Sequence, residues 1–284
     1  MLVIAALATA ILIAAWVLGL ALSAPRVPAP PSVVIALGNR VTPTPTPPAK
    51  KAYQSFARPF DRGDKRPRVA LILSNETDRG AGDMNAAIKL PGAITLALTP
   101  YTPNLPDWAG RARQAGHEIL LGLPMEPLDL TIYDPGPLAL LSSADAAANR
   151  ERLDRLLALA NGYIGVLPLG GGRFLSDADK LRPVLAELDR RGLLFVDIAG
   201  PASSTVAATA GDLSRVKVDQ VIEAETREAL ERRLAELEGA AKRAGAAVGL
   251  VGANPAAIEK IGAWAAGLEA RGVALAPLTA MLPQ

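Results

Sequence analysis

Eight short apolar runs constrain the fold of this chain more than any other feature of its sequence. Each run is five to seven residues long, and most show little polar alternation. Such runs suit strands that are covered on both faces, as in a parallel sheet wrapped by helices. The predicted strands are Val69–Leu73, Ile94–Leu98, Glu118–Leu123, Tyr163–Leu169, Leu193–Ile198, Val216–Ile222, Ala247–Val251 and Val273–Leu278.

The stretches between these runs have the pattern of amphipathic helices, several of which end at a glycine. The predicted helices are Pro106–Ala115, Ala144–Ala160, Asp177–Arg191, Thr226–Ala244 and Pro255–Arg271. Repeated strand, helix, glycine and strand is typical of an α/β fold. A count of eight strands favours an irregular (β/α) barrel of seven or eight strands over an open sheet, with Val216–Ile222 as its poorest strand.

The N-terminal segment has the composition of a membrane span. Its first 22 residues contain no charged side chain, and as a helix they would extend over about 30 Å, enough for a bilayer core. We predict a retained transmembrane anchor over residues 1–23, although the small residues at 21–24 would also suit cleavage of a signal peptide.

Residues 24–67 are rich in Pro, Thr and Ala, with TPTPTPP at 42–48. This composition opposes helix and sheet and favours an extended polyproline conformation. We predict a linker over residues 24–67 and a globular domain over residues 68–284. Docking of a proline-binding module is the alternative role for the linker.

Composition excludes several classes of function. The net charge of +2 gives no reason to expect nucleic acid. The absence of cysteine removes disulfides, thiolate zinc sites and cysteine nucleophiles, and a single histidine leaves few options for zinc. Gly-x-Ser-x-Gly and a well-placed GxGxxG are both missing, so serine hydrolysis and nucleotide cofactors have no support.

The loops that follow the predicted strands carry a specific pattern. In chain order the segments read VALILSN, ITLALTPYTP, AGHEILLGLPMEP, GVLPLGGGRF, LLFVDIAGPASST and GLVGANP. This order resembles the divergent polysaccharide deacetylase family, a relative of carbohydrate esterase family four. The resemblance covers about Arg68 to Leu282, and GHE with PMEP is its most specific part.

The resemblance implies a distorted seven- or eight-stranded barrel in which a metal-held water removes an acetyl group from an amino sugar. The family pattern has Asp-Asp-Leu-Gly after the first strand, Asn-His-Met-Gly-Ser after the fourth and Gly-His-Pro near the end. This chain has Ser74 and Asn75 at the first point, Leu169 at the second, and Ala253 with Asn254 at the third. The expected base and metal ligands are therefore replaced together.

A metal site rebuilt from other residues is the alternative. Glu76, Asp78, His117, Glu126 and Asp197 supply mainly oxygen ligands, which suit Mg, Ca or Mn better than Zn. No pair of them has a convincing ligand spacing. His117 lies at the start of its strand, where a structural hydrogen bond is the expected role.

Glu126, Arg173 and Asp197 lie in the loops at the predicted barrel mouth. Glu126 and Asp197 follow strands, and each has either a ligand-binding or a loop-bracing role. Arg173 follows three glycines, Gly170–Gly172, which form either an anion cradle or a tight turn. With Glu76, these three residues are the candidate binding set.

These observations lead to one main hypothesis and two rivals. The main hypothesis is a catalytically degenerate deacetylase-like barrel, tethered to the inner membrane by one span, that binds envelope glycan or an envelope protein in the periplasm without a cofactor. The family resemblance implies that the globular domain lies on the periplasmic side of the membrane. The basic residues after the anchor would instead favour a cytoplasmic domain. The rivals are an active metal-dependent deacetylase with a rebuilt carboxylate site, and a spacer whose barrel mouth is filled by side chains.

Overall fold

The strands of the described chain all pair in parallel. The computed structural model describes residues 51–76, 84–198, 200, 202–223 and 226–283. Within those residues nine strands form one sheet. They are β1 (Arg68–Ser74), β2 (Thr95–Leu98), β3 (Ile119–Met125), β4 (Gly165–Gly170), β5 (Leu194–Ile198), β6 (Arg215–Val218), β7 (Gln220–Ile222), β8 (Ala246–Gly252) and β9 (Ala274–Leu275).

The sheet closes on itself through one kinked stretch of chain. Its strand order is β6-β5-β4-β3-β2-β1-β8-β7, so β6 and β7 lie at the two ends of the path. Only Asp219 separates them in sequence, and its backbone N–H donates to the Val248 carbonyl at 2.9 Å. The predicted parallel barrel is thus confirmed, with the poor strand at residues 216–222 as its closing element.

Helices alternate with the strands as predicted. They are α1 (Ala52–Phe56), α2 (Met84–Ala87), α3 (Leu105–Gln114), α4 (Ala146–Leu157), α5 (Ala178–Arg190), α6 (Ser203–Thr209), α7 (Arg227–Ala244) and α8 (Pro255–Ala266). Four of them begin at a capping side chain that accepts a backbone N–H of the first turn: Asp145, Asp177, Thr226 and Asn254. The sequence predicted the five long helices, whereas α1, α2 and α6 were missed because each is too short to show a period.

Strand pleating divides the core into two layers. In β1, Ala70 and Ile72 belong to a cluster inside the barrel, whereas Val69, Leu71 and Leu73 belong to the larger cluster between the strands and the helices. Successive side chains of a strand point to opposite faces, so both faces must be apolar here. This is the physical reason for the unbroken apolar runs in the sequence.

Part of the predicted linker packs on the barrel. Tyr53 and Phe56 of α1 lie against the interior cluster, and the Arg62 guanidinium donates to the carbonyls of Thr279 and Leu282, both at 3.0 Å. Residues 51–67 therefore form a strap, which packs on the barrel although it precedes the predicted boundary at residue 68.

The other N-terminal predictions concern residues that the structure leaves undescribed. The predicted anchor over 1–23 and the linker residues 24–50 lie outside the described ranges. Among the helices that are described, none is long and apolar enough to cross a membrane.

Candidate functional site

The residue at the expected base position ties two strand ends together. The Asn75 side chain is buried, its Oδ1 accepts the Thr99 N–H at 2.8 Å and its Nδ2 donates to Thr102 Oγ1 at 3.0 Å. Ser74 is buried beside it, and its Oγ accepts the backbone N–H of Glu76 at 3.3 Å. A neutral amide and a hydroxyl thus stand where the family pattern has two carboxylates.

The residues at the two positions where the family pattern has histidine also make structural contacts. Leu169 is 2% exposed and belongs to the interior cluster, where its Cδ1 would lie 2.6 Å from a Cβ added at Gly122. Ala253 is buried in the outer cluster. Asn254 accepts the Ala257 N–H at 2.8 Å and so caps α8. These side chains fill space or cap a helix.

Glu126 and Arg173 brace the loops around the barrel mouth. Glu126 is buried, and its Oε2 accepts both the backbone N–H of Ser142, at 2.6 Å, and the Ser142 hydroxyl. Its Oε1 lies 3.4 Å from Arg173 Nε, and Arg173 Nη2 donates to the Leu128 carbonyl at 3.1 Å. Of the two roles left open for Glu126, these contacts favour loop bracing.

Asp197 faces the helical layer, so its predicted place at the mouth needs correction. Leu194 and Val196 point into the barrel, and the pleat directs Asp197 to the other side. Its Oδ2 accepts the Ser203 hydroxyl at 3.0 Å and lies 3.4 Å from Arg215 Nη1. Burial raises the pKa of Asp197, while Ser203 and Arg215 oppose that rise.

The GHE motif is structural and lies at the opposite end of the barrel. His117 is 1% exposed, with Nδ1 2.7 Å from the Ile94 carbonyl and Nε2 3.1 Å from that of Ile88. Glu118 accepts the backbone N–H groups of Arg58, at 2.9 Å, and Thr279, at 3.0 Å. Burial raises the pKa of Glu118, although these hydrogen bonds act to lower it. No role was predicted for Glu118, although an acidic residue at the start of an apolar strand was a signal for one.

The described residues do not fit a catalytic metal. No group of three or more His, Cys, Asp or Glu side chains in the described ranges could hold an ion. His117, Glu126 and Asp197 are committed to separate internal contacts. Asp78 lies outside the described residues. The zinc that the family pattern implies requires three His, Cys or carboxylate ligands, and the residues at the matching positions supply none.

A cavity of about 590 Å³ nevertheless opens beside the replaced positions. Glu76, Tyr101, Tyr133 and Leu169 contribute to its lining. The Tyr133 hydroxyl donates to Glu76 Oε1 at 2.6 Å. Burial raises the pKa of Glu76 despite that bond, and burial together with the nearby Glu76 carboxylate raises the pKa of Tyr133.

The predicted candidate Glu76 lines the cavity at the mouth, and two tyrosines that were not predicted line it as well. The Tyr101 hydroxyl donates to the Pro135 carbonyl at 2.8 Å and accepts the Leu138 N–H at 3.2 Å, which fixes the loop after β3. Only four tyrosines occur in the chain. Two of them follow successive predicted strands, and this placement was a signal in the sequence for a role at the mouth.

A parallel-strand α/β barrel with its polar cavity at the carboxyl ends of the strands defines the class of protein. The chain belongs to the divergent polysaccharide deacetylase family, whose sequence model matches residues 78–282. The resemblance stated from the sequence is confirmed.

The chain is also similar to two individual proteins. Uncharacterized protein YibQ of Escherichia coli K12 is 28% identical over 152 residues, which cover 53% of this chain and 46% of YibQ. The match thus spans about half the length of that relative. The crystal structure of uncharacterized protein ATU2773 from Agrobacterium tumefaciens C58 is 32% identical, covers 81% of this chain and 94% of its own, and gives a TM-score of 0.74.

Proposed function

We propose that this protein is a catalytically degenerate member of its family that binds envelope glycan at the barrel mouth. One observation carries the proposal. The positions of the family's base and metal ligands are committed to internal contacts through Asn75, Leu169 and Ala253, yet an open cavity remains beside them. The frame of a sugar site is thus kept without the groups that would hold a hydrolytic zinc.

The lining of the cavity suits a sugar. Its volume of about 590 Å³ lies within the ~300–1,000 Å³ of small-ligand sites. Tyrosine rings offer large, stiff apolar faces, and the Glu76 carboxylate accepts hydrogen bonds from hydroxyl groups. Ile132 lies at the cavity and is 84% exposed, which adds an apolar contact. A concave site favours a glycan over an envelope protein as the occupant.

The proposed location is the periplasmic face of the inner membrane. Residues 1–23 would anchor the chain and the Pro-rich stretch after them would hold the barrel away from the bilayer. The uncharged first 22 residues support this assignment. Family resemblance supports the outward orientation.

The test is a binding titration of the full chain in phosphatidylcholine nanodiscs with chitin oligomers and soluble peptidoglycan fragments. We expect saturable binding that weakens about tenfold or more in Tyr133→Ala, equivalent to about 1.4 kcal/mol. Val221→Ala is the matched control, because Val221 is an exposed apolar residue of β7 outside the cavity lining. Absence of binding to every glycan would overturn the proposal.

A further inference from the structure

The charge of the mouth cavity restricts the kind of glycan that it suits. Among the described residues that line it, Glu76 and Asp134 are acidic and none is basic. The exposed Arg173 on the neighbouring loop is paired with Glu126, so its charge is largely balanced. Among the described residues, neither of the two carboxyl groups, Glu76 and Asp134, has a cationic partner.

Two aromatic rings also line the cavity. The Tyr133 hydroxyl donates to one oxygen of Glu76 at 2.6 Å and thereby fixes the carboxylate next to the ring. Tyr101 is held by its two bonds to the loop after β3. A carboxylate in a cavity that is also lined by tyrosine rings is a favourable setting for an organic cation, because ion pairing and cation–π attraction can act together.

Burial of Glu76 adds to the preference for a cation. Desolvation raises the pKa of the carboxyl group, so the ionised form is disfavoured while the cavity is empty. A bound cation stabilises the ionised form. A neutral N-acetyl group provides no such gain and would leave a half-buried carboxyl group without a charged partner.

We infer that the cavity selects amino sugars with a free, protonated amine, which are the products of deacetylation rather than its substrates. The inference rests on the proposed function and makes it more specific. The amine would pair with Glu76, and the pyranose ring would pack on Tyr133 and Tyr101. Asp134 would add to the negative potential at the cavity edge.

The experiment compares two ligands of equal length on the full chain in phosphatidylcholine nanodiscs. Glucosamine tetramer and N-acetylglucosamine tetramer are titrated at a pH below the pKa of the sugar amine, so that the amine is mostly protonated. Tetralysine is a third ligand that carries charge without sugar. Zwitterionic lipid limits attraction of the cationic ligands to the nanodisc, and nanodiscs without protein give the background.

We expect the glucosamine tetramer to bind at least about tenfold more tightly than the acetylated tetramer, equivalent to about 1.4 kcal/mol. Glu76→Gln should bring the ratio of the two dissociation constants close to one. Glu236→Gln is the matched control, because Glu236 is an exposed carboxylate of α7 paired with Arg233, and it should leave the ratio unchanged. Circular dichroism establishes that each variant is folded.

The possible failures are distinguishable. Equal binding of the two tetramers, or tighter binding of the acetylated one, would overturn the inference and leave glycan binding in place. Tetralysine binding as tightly as the glucosamine tetramer would show that charge alone is recognised, which also overturns it. If neither sugar nor peptidoglycan binds, the proposed function fails, and the inference fails with it.

Discussion

Single residues explain why the replaced site would not be restored by one substitution. Asn75 and Leu169 do more than lack the expected chemistry, since each has become part of the packing around it. The Asn75 amide uses both its acceptor and its donor on the end of β2. Leu169 covers Gly122 inside the barrel.

Asn75→Asp should destabilise the fold without creating a metal site. One carboxylate oxygen would still accept the Thr99 N–H, but the other would face Thr102 Oγ1, whose proton is donated to the Thr99 carbonyl at 2.8 Å. We expect a loss of about 1–3 kcal/mol in the free energy of unfolding, measured in urea. The control is Asn254→Asp, because Asp and Asn are equally good helix caps, and its effect should be small. Zinc uptake by Asn75→Asp would contradict this account.

Glu76 should make stability depend on pH. Burial raises its folded pKa above the ordinary value of 4.5. The folded chain then holds this proton more tightly than the unfolded chain, so the contribution of Glu76 to stability is full below about pH 4.5 and is lost as pH rises through the folded pKa. The unfolding free energy of the wild type minus that of Glu76→Gln should therefore fall as the pH rises above about 4.5. A flat or rising difference would refute the assignment.

Among the elements, the stretch from β6 to β7 has the largest architectural effect. Each half pairs with a different neighbour, β5 on one side and β8 on the other. Asp219 at the kink donates its N–H to the Val248 carbonyl and accepts the Val248 N–H at 2.8 Å through Oδ2. This side chain supplies the pairing that the kink interrupts.

Asp219→Ala should loosen the closure of the barrel. We expect a loss of about 1.5–3 kcal/mol in the free energy of unfolding, the usual scale of a hydrogen bond to a charged group. Hydrogen exchange should become faster at the Val248 amide, which loses its acceptor. Asp212→Ala, a change at an exposed aspartate just before β6, should leave that exchange rate unchanged. Unchanged exchange at Val248 in Asp219→Ala would argue against the closing role.

The strap is the second element with a testable role. Phe56 packs on the interior cluster, and the Arg113 guanidinium lies 5.1 Å from the centre of its ring. Phe56→Ala should lower the unfolding free energy by about 2 kcal/mol, less than for a fully buried ring because Phe56 is partly exposed. Ser55→Ala, on the exposed side of the same helix, is the control. Equal stability of both variants would mean that packing of the strap does not contribute to the free energy of unfolding.

For the whole molecule, the sequence predicted the frame better than the site. Apolar runs report burial on both faces directly, so all eight predicted strands appear, although Val216–Ile222 divides at Asp219. The direction of a side chain at a strand end depends on pleat and register, which is why Asp197 was misplaced. The strap was hidden because a short helix after a proline-rich run shows no period. Tyr133 was missed because its contact with Glu76 depends on the path of a long loop, which the sequence pattern does not report.

We propose that the barrel has kept the frame of a deacetylase and lost its metal chemistry. The most direct test is the metal content of the full chain, purified in the presence of zinc, together with acetate release from chitin oligomers and peptidoglycan. The account predicts zinc far below one equivalent and no release of acetate above the background. One tightly bound zinc per chain, with acetate release that stops on chelation and returns with metal, would contradict it.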